Sequence, residues 1–316
     1  MSSELACRCC GSAIEHTFAV PCWRAPDWAT FTYGECGTCR SLSLVDAVDP
    51  APFYRDYFAH RPRPSLAPSP MRRVAASVGE ALVMPANLGA VWPSRALRRP
   101  EWLGWFAGSG LSRRSPILDV GAGAGSLLRE LHRWGFRDLS GCDPYLDADI
   151  NVADGVVVQA VELADLRRRD FGAIVFHHSL EHTDNPVAML CAARQLLVGV
   201  GSRVVVAVPV AQGPVWEEYR DNWMALDAPL HRFVPTLAGL THLADRAGFD
   251  VGRVCPSCPP YHLVGSELVA RRVPPTQDAS TVLSSQERVA LQRRAHRLRT
   301  VERSPQVSMV LTPRAS

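Results

Sequence analysis

The chain of 316 residues contains no lysine; all 34 of its basic residues are arginine. That absence excludes a lysine nucleophile or Schiff base within these residues. It also excludes the Gly-Lys-Ser/Thr of a phosphate-binding P-loop. Long apolar runs are missing as well. No stretch approaches the ~18 residues of a membrane span, so no membrane partner is expected. The opening residues, MSSELACRCCGS, lack a basic region followed by an apolar one. They predict no secretory signal and a cytoplasmic setting. Surplus charge is scarce: 34 basic and 31 acidic residues leave +3, too little for a dedicated nucleic-acid binder. Disorder is excluded in its turn by 47% hydrophobic and 21% charged residues.

Cysteine, by contrast, is concentrated at one end. Cys7, Cys9, Cys10, Cys22, Cys36 and Cys39 all precede residue 40. In a reducing compartment such clusters bind metal more often than they form disulfides. Cys7-x2-Cys10-Gly11 and Cys36-x2-Cys39 make two knuckles, and a tetrahedral zinc ion takes four thiolates from two such turns. Short strands expected at 17–23, 29–35 and 41–45 supply a hairpin to bring the knuckles together. A lobe this small has little core, so structural zinc would supply its folding energy. Unliganded cysteines in a packed lobe are the alternative. Cys255-Pro-Ser-Cys258 lacks a second pair and reads as a loop without metal or redox role.

The remaining chain divides into a lobe at 1–48, a linker and helical segment at 49–112, an α/β domain at 113–273, and a linker with a basic helix at 274–316. In the α/β domain, strands are expected at Ile117–Val120, Leu139–Cys142, Val156–Gln159, Ala173–Phe176, Arg203–Val208, Val251–Val254 and Glu267–Arg272. Helices are expected at Ser126–Trp134, from Asn185-Pro186 to about Leu197, and from Thr236 to Gly248. Strands alternating with helices indicate a mostly parallel sheet.

Leu118-Asp119-Val120-Gly121-Ala122-Gly123-Ala124-Gly125-Ser126 lies between a strand and a helix. Glycines permit a tight turn and close ligand approach, and the helix after the loop offers free N–H groups to an anion. The spacing is G-x-G-x-G, with Ser126 where a dinucleotide-binding loop needs glycine. Asp143 ends the next strand, where a carboxylate can accept ribose hydroxyls. A plain strand–helix turn is the alternative.

LDVGAGAGSLL, GCDPY, FGAIVFHHSLEHTDNP and RVVVAVPV, in this order, resemble the motifs of class I S-adenosylmethionine-dependent methyltransferases. The resemblance covers residues 115–272. It implies a Rossmann-like seven-stranded sheet whose last strand is antiparallel. It places Gly121, Ala122, Gly123 and Gly125 beneath the methionine moiety of S-adenosylmethionine, with Asp119 holding its surroundings. It gives Asp143 the ribose, Val161 and Glu162 the adenine, and has His177 and His178 facing cofactor and acceptor. The cysteine lobe resembles the N-terminal zinc ribbon of some methyltransferases, including sugar C-methyltransferases. Tyr54–Phe58 resembles the segment next to the ribbon in those enzymes.

His178-Ser-Leu-Glu181-His182 also matches H-x-x-E-H of inverted zinc proteases. That chemistry needs a helix, and here an apolar strand leads in. At a strand end, Glu181 and His182 instead form a candidate dyad, since a carboxylate orients an imidazole and raises its basicity. The resemblance to sugar C-methyltransferases implicates such a pair, with His178 beside it; bracing of the loop is the competing role. His231 reads as an acceptor-side residue or a cap, and Trp216, Tyr219 and Trp223 as a lid or packing. The arginine-rich helix at 286–303 reads as a solvated or oligomer-packing tail. The expected function is methyl transfer to a small-molecule or sugar-containing acceptor. A noncatalytic zinc-ribbon adaptor and an RNA methyltransferase are the alternatives.

Overall fold

A computed structural model describes residues 6–25, 27–54, 102–106, 109–199 and 201–314. The linker at 55–70 and most of the mixed segment at 71–112 lie outside the described residues.

Two sheets carry the molecule. The small one is built from β1 (Ile14–Pro21), β2 (Thr30–Cys36), β3 (Leu42–Leu44) and β10 (Phe233–Val234), in that order. The first three form an antiparallel meander, as short β-branched and aromatic runs between turns favour. The fourth is contributed from far along the chain and pairs antiparallel with β3. Lobe and α/β domain therefore share one sheet.

The large sheet has the order β11-β12-β9-β8-β4-β5-β7-β6. Its parallel centre is β4 (Ile117–Val120), β5 (Leu139–Cys142), β7 (Val156–Gln159), β8 (Ala173–His177) and β9 (Arg203–Pro209). These strands are continuous apolar runs because helices cover both faces; every residue of β4 and β9 is buried. The helix Ser126–Arg133 buries Leu127, Leu128 and Leu131. Pro186–Leu196 is capped by Asn185, whose side chain accepts from the Ala188 amide at 3.0 Å. Thr236 caps Leu237–Arg246 in the same way, satisfying amides that lack an acceptor within the helix.

The C-terminal third departs from expectation. Glu267–Arg272 is not a strand. Tyr261–Ala270 is a helix burying Leu263, Leu268 and Val269, and its period is helical across the expected strand start. The antiparallel strand is instead β12, Gln306–Pro313, which lies between β9 and β11 (Phe249–Ser257) and pairs antiparallel with both. An eighth strand, β6 (Ile150–Ala153), adds an antiparallel edge beside β7. The arginine-rich segment forms the helix Ser285–Arg297 with a Ser284/Glu287 capping box. Ala295 and Leu298 are buried in the core that also holds Trp216, Tyr219 and Trp223. These aromatics pack that core, Phe18 and Trp216 meeting at 6.1 Å, and do not form a lid. No helix among the described residues is long and apolar enough to cross a membrane.

Candidate active site and cysteine cluster

A cavity of about 990 Å3 opens at the carboxyl ends of β4, β5 and β8, where ligands of open α/β sheets bind. Its size is at the top of the range for small-molecule sites.

On one side lies the glycine loop. Gly121, Gly123 and Gly125 all have positive φ, at 69°, 51° and 74°, a region that costs other residues dearly. A Cβ at Gly121 would overlap Ser179, and one at Gly125 would run into Val152. Gly121 and Ala122 line the cavity, while Gly125 serves close helix–sheet packing. The Gly123 amide donates to Asp143 Oδ2 at 2.8 Å, and the Tyr145 amide to Oδ1 at 3.0 Å. Asp143 is thereby fixed at the cavity wall.

Asp119 also lines the cavity, and its Oδ1 is buried without a hydrogen-bond partner among the described residues. Burial, reinforced by the charge of Asp143, pushes its carboxyl well above the usual range. S-adenosylmethionine fits these residues. Its amino and hydroxyl donors match an orphaned buried oxygen and a braced carboxylate, and Gly121 in the lining offers no Cβ to obstruct it. Glu162 and Leu163 line the cavity as well, whereas Val161 packs against the core.

The other side is built by histidines. His177 ends β8, His178 follows it, and both line the cavity. Burial first, then the neighbouring His178, pushes His177 down to about 3. His178 adopts φ 57°, an uncommon conformation that the His178 amide stabilises by donating to the Ala207 carbonyl at 2.9 Å. Its Nδ1 lies 3.4 Å from Glu181 Oε1. Glu181 is wholly buried. Burial would raise its pKa, but the polar approach of His178 and the charges of His231, His178 and His182 outweigh this and hold it at about 2. The Glu181–His182 segment is a short 3-10 turn, not the long helix of a metalloprotease.

Distant segments complete the wall. Tyr54 Oη and His182 Nδ1 are 2.9 Å apart, and Tyr54 stacks on Tyr145 at 4.0 Å. His231 lines the cavity, with Nδ1 2.7 Å from the Ala225 carbonyl. Trp23 and Arg24 enter from the lobe, and Arg24 makes a bidentate pair with Asp227 at 2.8 Å. Sequence reasoning missed Trp23, Arg24 and Asp227 as site residues, because no local pattern marks an arginine for a partner 203 residues away.

The four cysteines singled out from sequence also come together. Cys7 and Cys39 sulfurs lie 3.5 Å apart, and those of Cys10 and Cys36 lie 3.4 Å apart. All four lie within 4.8 Å of one another. These separations far exceed a disulfide bond and approach the ~3.8 Å between thiolates on a tetrahedral zinc ion. Each knuckle closes by a backbone bond, Gly11 to Cys7 and Arg40 to Cys36. Thr236 Oγ1 donates to the Cys39 carbonyl at 2.6 Å, tying the cluster to the α/β domain. Cys255 lies in β11, not in a loop, and with Cys258 joins no metal-ligand group among the described residues.

The sequence profile of a family described as "Methyltransferase domain" matches residues 96–254. No curated protein sequence matches the chain. Solved structures similar to it include the 1,6-didemethyltoxoflavin-N1-methyltransferase of Burkholderia thailandensis, holding S-adenosylhomocysteine. It is 16% identical over 81% of this chain and 94% of that one, with TM-score 0.42. An S-adenosylmethionine-dependent methyltransferase of Mesorhizobium loti is 14% identical over 67% and 97%, with TM-score 0.41. The N,N-8-amino-8-demethyl-D-riboflavin dimethyltransferase of Streptomyces davawensis is 20% identical over 45% and 46%, with TM-score 0.36. The profile spans half of the chain and contains the whole glycine-loop side of the cavity. The chain therefore belongs to the methyltransferase-domain family of S-adenosylmethionine-dependent enzymes.

Proposed function

We propose that the chain transfers a methyl group from S-adenosylmethionine to a small-molecule or sugar-containing acceptor bound against the histidine wall. One observation carries this reading. A single cavity runs from Asp143 and the glycine loop to His178, His182 and His231, so cofactor and acceptor groups face one another.

S-adenosylmethionine supplies an electrophilic methyl group on a sulfonium. The residues of this chain orient the partners for an in-line displacement. Asp143 accepts the ribose hydroxyls. Gly121 and Ala122 pass beneath the methionine moiety, Gly123 and Gly125 hold the turn that puts them there, and Asp119 meets its amino group. Glu162 borders the adenine, and His177 closes the floor beside Trp105, at 5.6 Å. An acceptor that loses a proton gives it to the Glu181–His182 pair, with His178 beside the same carboxylate. The four cysteines hold a structural zinc ion that supports the lobe carrying Trp23 and Arg24. An RNA acceptor is disfavoured because the cavity is walled by lobe, linker and α/β domain, and aromatic stacking platforms along a basic track are missing among the described residues.

The test is mass spectrometry of acceptors. The full chain, S-adenosylmethionine and a pool of cell metabolites should yield a small molecule heavier by one methyl group. A His182→Ala variant should lose that product by roughly 100-fold or more. Methylation of added RNA with none in the metabolite pool would overturn the reading.

A further inference from the structure

Glu181 presents a problem that the methyltransferase fold alone does not solve. Its carboxylate is wholly buried, yet neither oxygen has a partner in good hydrogen-bond geometry among the described residues. His178 Nδ1 stands off at 3.4 Å. An ionised carboxylate in that position is costly unless a cation compensates it. Arg232, whose amide donates to the Glu181 carbonyl at 2.8 Å, has its guanidinium engaged elsewhere. It pairs with Asp184 at 2.9 and 3.1 Å and donates to the Val48 carbonyl.

Imidazoles surround the carboxylate. His231 Nε2 lies 4.0 Å from Oε1. Ligand atoms of Glu181, His182 and His231 all lie within 4.8 Å of one another. The far nitrogen of each ring is fixed by a second bond. His231 Nδ1 faces the Ala225 carbonyl, so it carries the proton and leaves a lone pair on Nε2. His182 Nδ1 faces Tyr54 Oη, which directs its Nε2 the other way. The two rings meet edge to face at 4.8 Å. One nitrogen held by a carbonyl or hydroxyl and the other turned to a shared carboxylate is the supporting arrangement of metal-ligating histidines.

We propose that Glu181, His182 and His231 bind a divalent first-row transition-metal ion at the acceptor end of the cavity. Two imidazoles and one carboxylate are borderline donors suited to such ions, in contrast to the four thiolates of the lobe. Ligands at ~2.1 Å from an ion need the three side chains to close by roughly an ångström, which small side-chain torsions permit. His182 and His231 line the cavity, so the remaining coordination positions face it. An acceptor oxygen occupying one of them loses its proton more readily. With the ion bound that proton passes to His178, which lines the cavity beside Glu181; without the ion it passes to His182. This inference rests on the acceptor lying against the histidine wall.

The test needs no turnover. The full chain, loaded with one equivalent of zinc, is titrated with Co2+ and followed by visible absorption and metal analysis. The expected result is one further equivalent, with weak visible bands and no thiolate-to-cobalt charge transfer. Glu181→Gln and His231→Gln should abolish that equivalent while zinc content stays at one. Tyr54→Phe, a milder change that spares all three ligands, should weaken it by about 10-fold. No second equivalent at millimolar Co2+, or variants that titrate like wild type, overturns the proposal. S-adenosylmethionine binding is measured on the same samples; its failure would count against the methyltransferase reading and leave the cobalt stoichiometry to judge the ion site separately.

Discussion

Asp119 and Asp143 are both buried carboxylates on one cavity wall, and their surroundings separate them. Asp143 accepts two backbone amides, which fix its carboxylate in the wall. Asp119 has an oxygen with no partner among the described residues and is pushed upward by burial and by Asp143. Asp119→Asn keeps an oxygen acceptor at this place, and its S-adenosylmethionine affinity should stay within about threefold of wild type by calorimetry. A loss as large as that of an Asp143 variant would contradict this assignment. His262 supplies a second residue-scale prediction. It is buried against Gln306, with Nε2 3.0 Å from Oε1, and burial holds it at about 4 against an ordinary 6.5. The unfolded chain binds more protons between these values. Stability from this group is thus complete above about pH 6.5 and is lost as pH falls toward about 4. Up to roughly 3 kcal/mol is involved. Urea midpoints should fall across that window in wild type and fall less in His262→Gln.

At the scale of elements, the glycine loop and the lobe make opposite demands. The loop depends on missing side chains. Gly125→Val places a branched side chain at φ 74° against Val152, and should cost about 2–4 kcal/mol in a denaturation experiment. The lobe depends on added ligands. Only Val20 and Pro21 of β1, its longest strand, are buried, so Cys36→Ser, or a strong chelator, should loosen β1–β3 and lower the melting temperature. Acceptor affinity should fall with it, because Trp23 and Arg24 line the cavity, while S-adenosylmethionine affinity falls less. Strand β4, the loop and Asp143 were legible in the sequence because glycine, an apolar run and a terminal carboxylate are local signals. Tyr261–Ala270 was misread in part because Glu267–Arg272 is too short and mixed to declare a period by itself. Strand β12 was missed because QVSMVLTP has no neighbour in sequence with which to pair; its partners lie some 50 to 100 residues earlier. The histidine wall was half legible. Glu181 and His182 stand in one motif, whereas Tyr54 and His231 reach it only through the tertiary fold.

The whole molecule is more continuous than a lobe, a catalytic domain and a tail. Strand β10 of the α/β domain pairs with lobe strand β3. Arg8 of the lobe donates to Asp184, beside the histidine wall. The C-terminal strand is an interior member of the large sheet. Removing residues 304–316 would strip the ladders of both β9 and β11 and expose the core where Val307, Met309 and Leu311 are buried. The truncated chain should be insoluble or lack cooperative unfolding; a soluble, cooperatively melting product would contradict the sheet order. The central claim, that the cavity at the strand ends is an S-adenosylmethionine site organised by Asp143, is tested most directly by calorimetric titration of the full chain. Wild type should bind one equivalent, and Asp143→Ala should bind roughly 10- to 100-fold more weakly, as loss of charged hydrogen bonds requires. No binding by wild type, or equal binding by the variant, would contradict it.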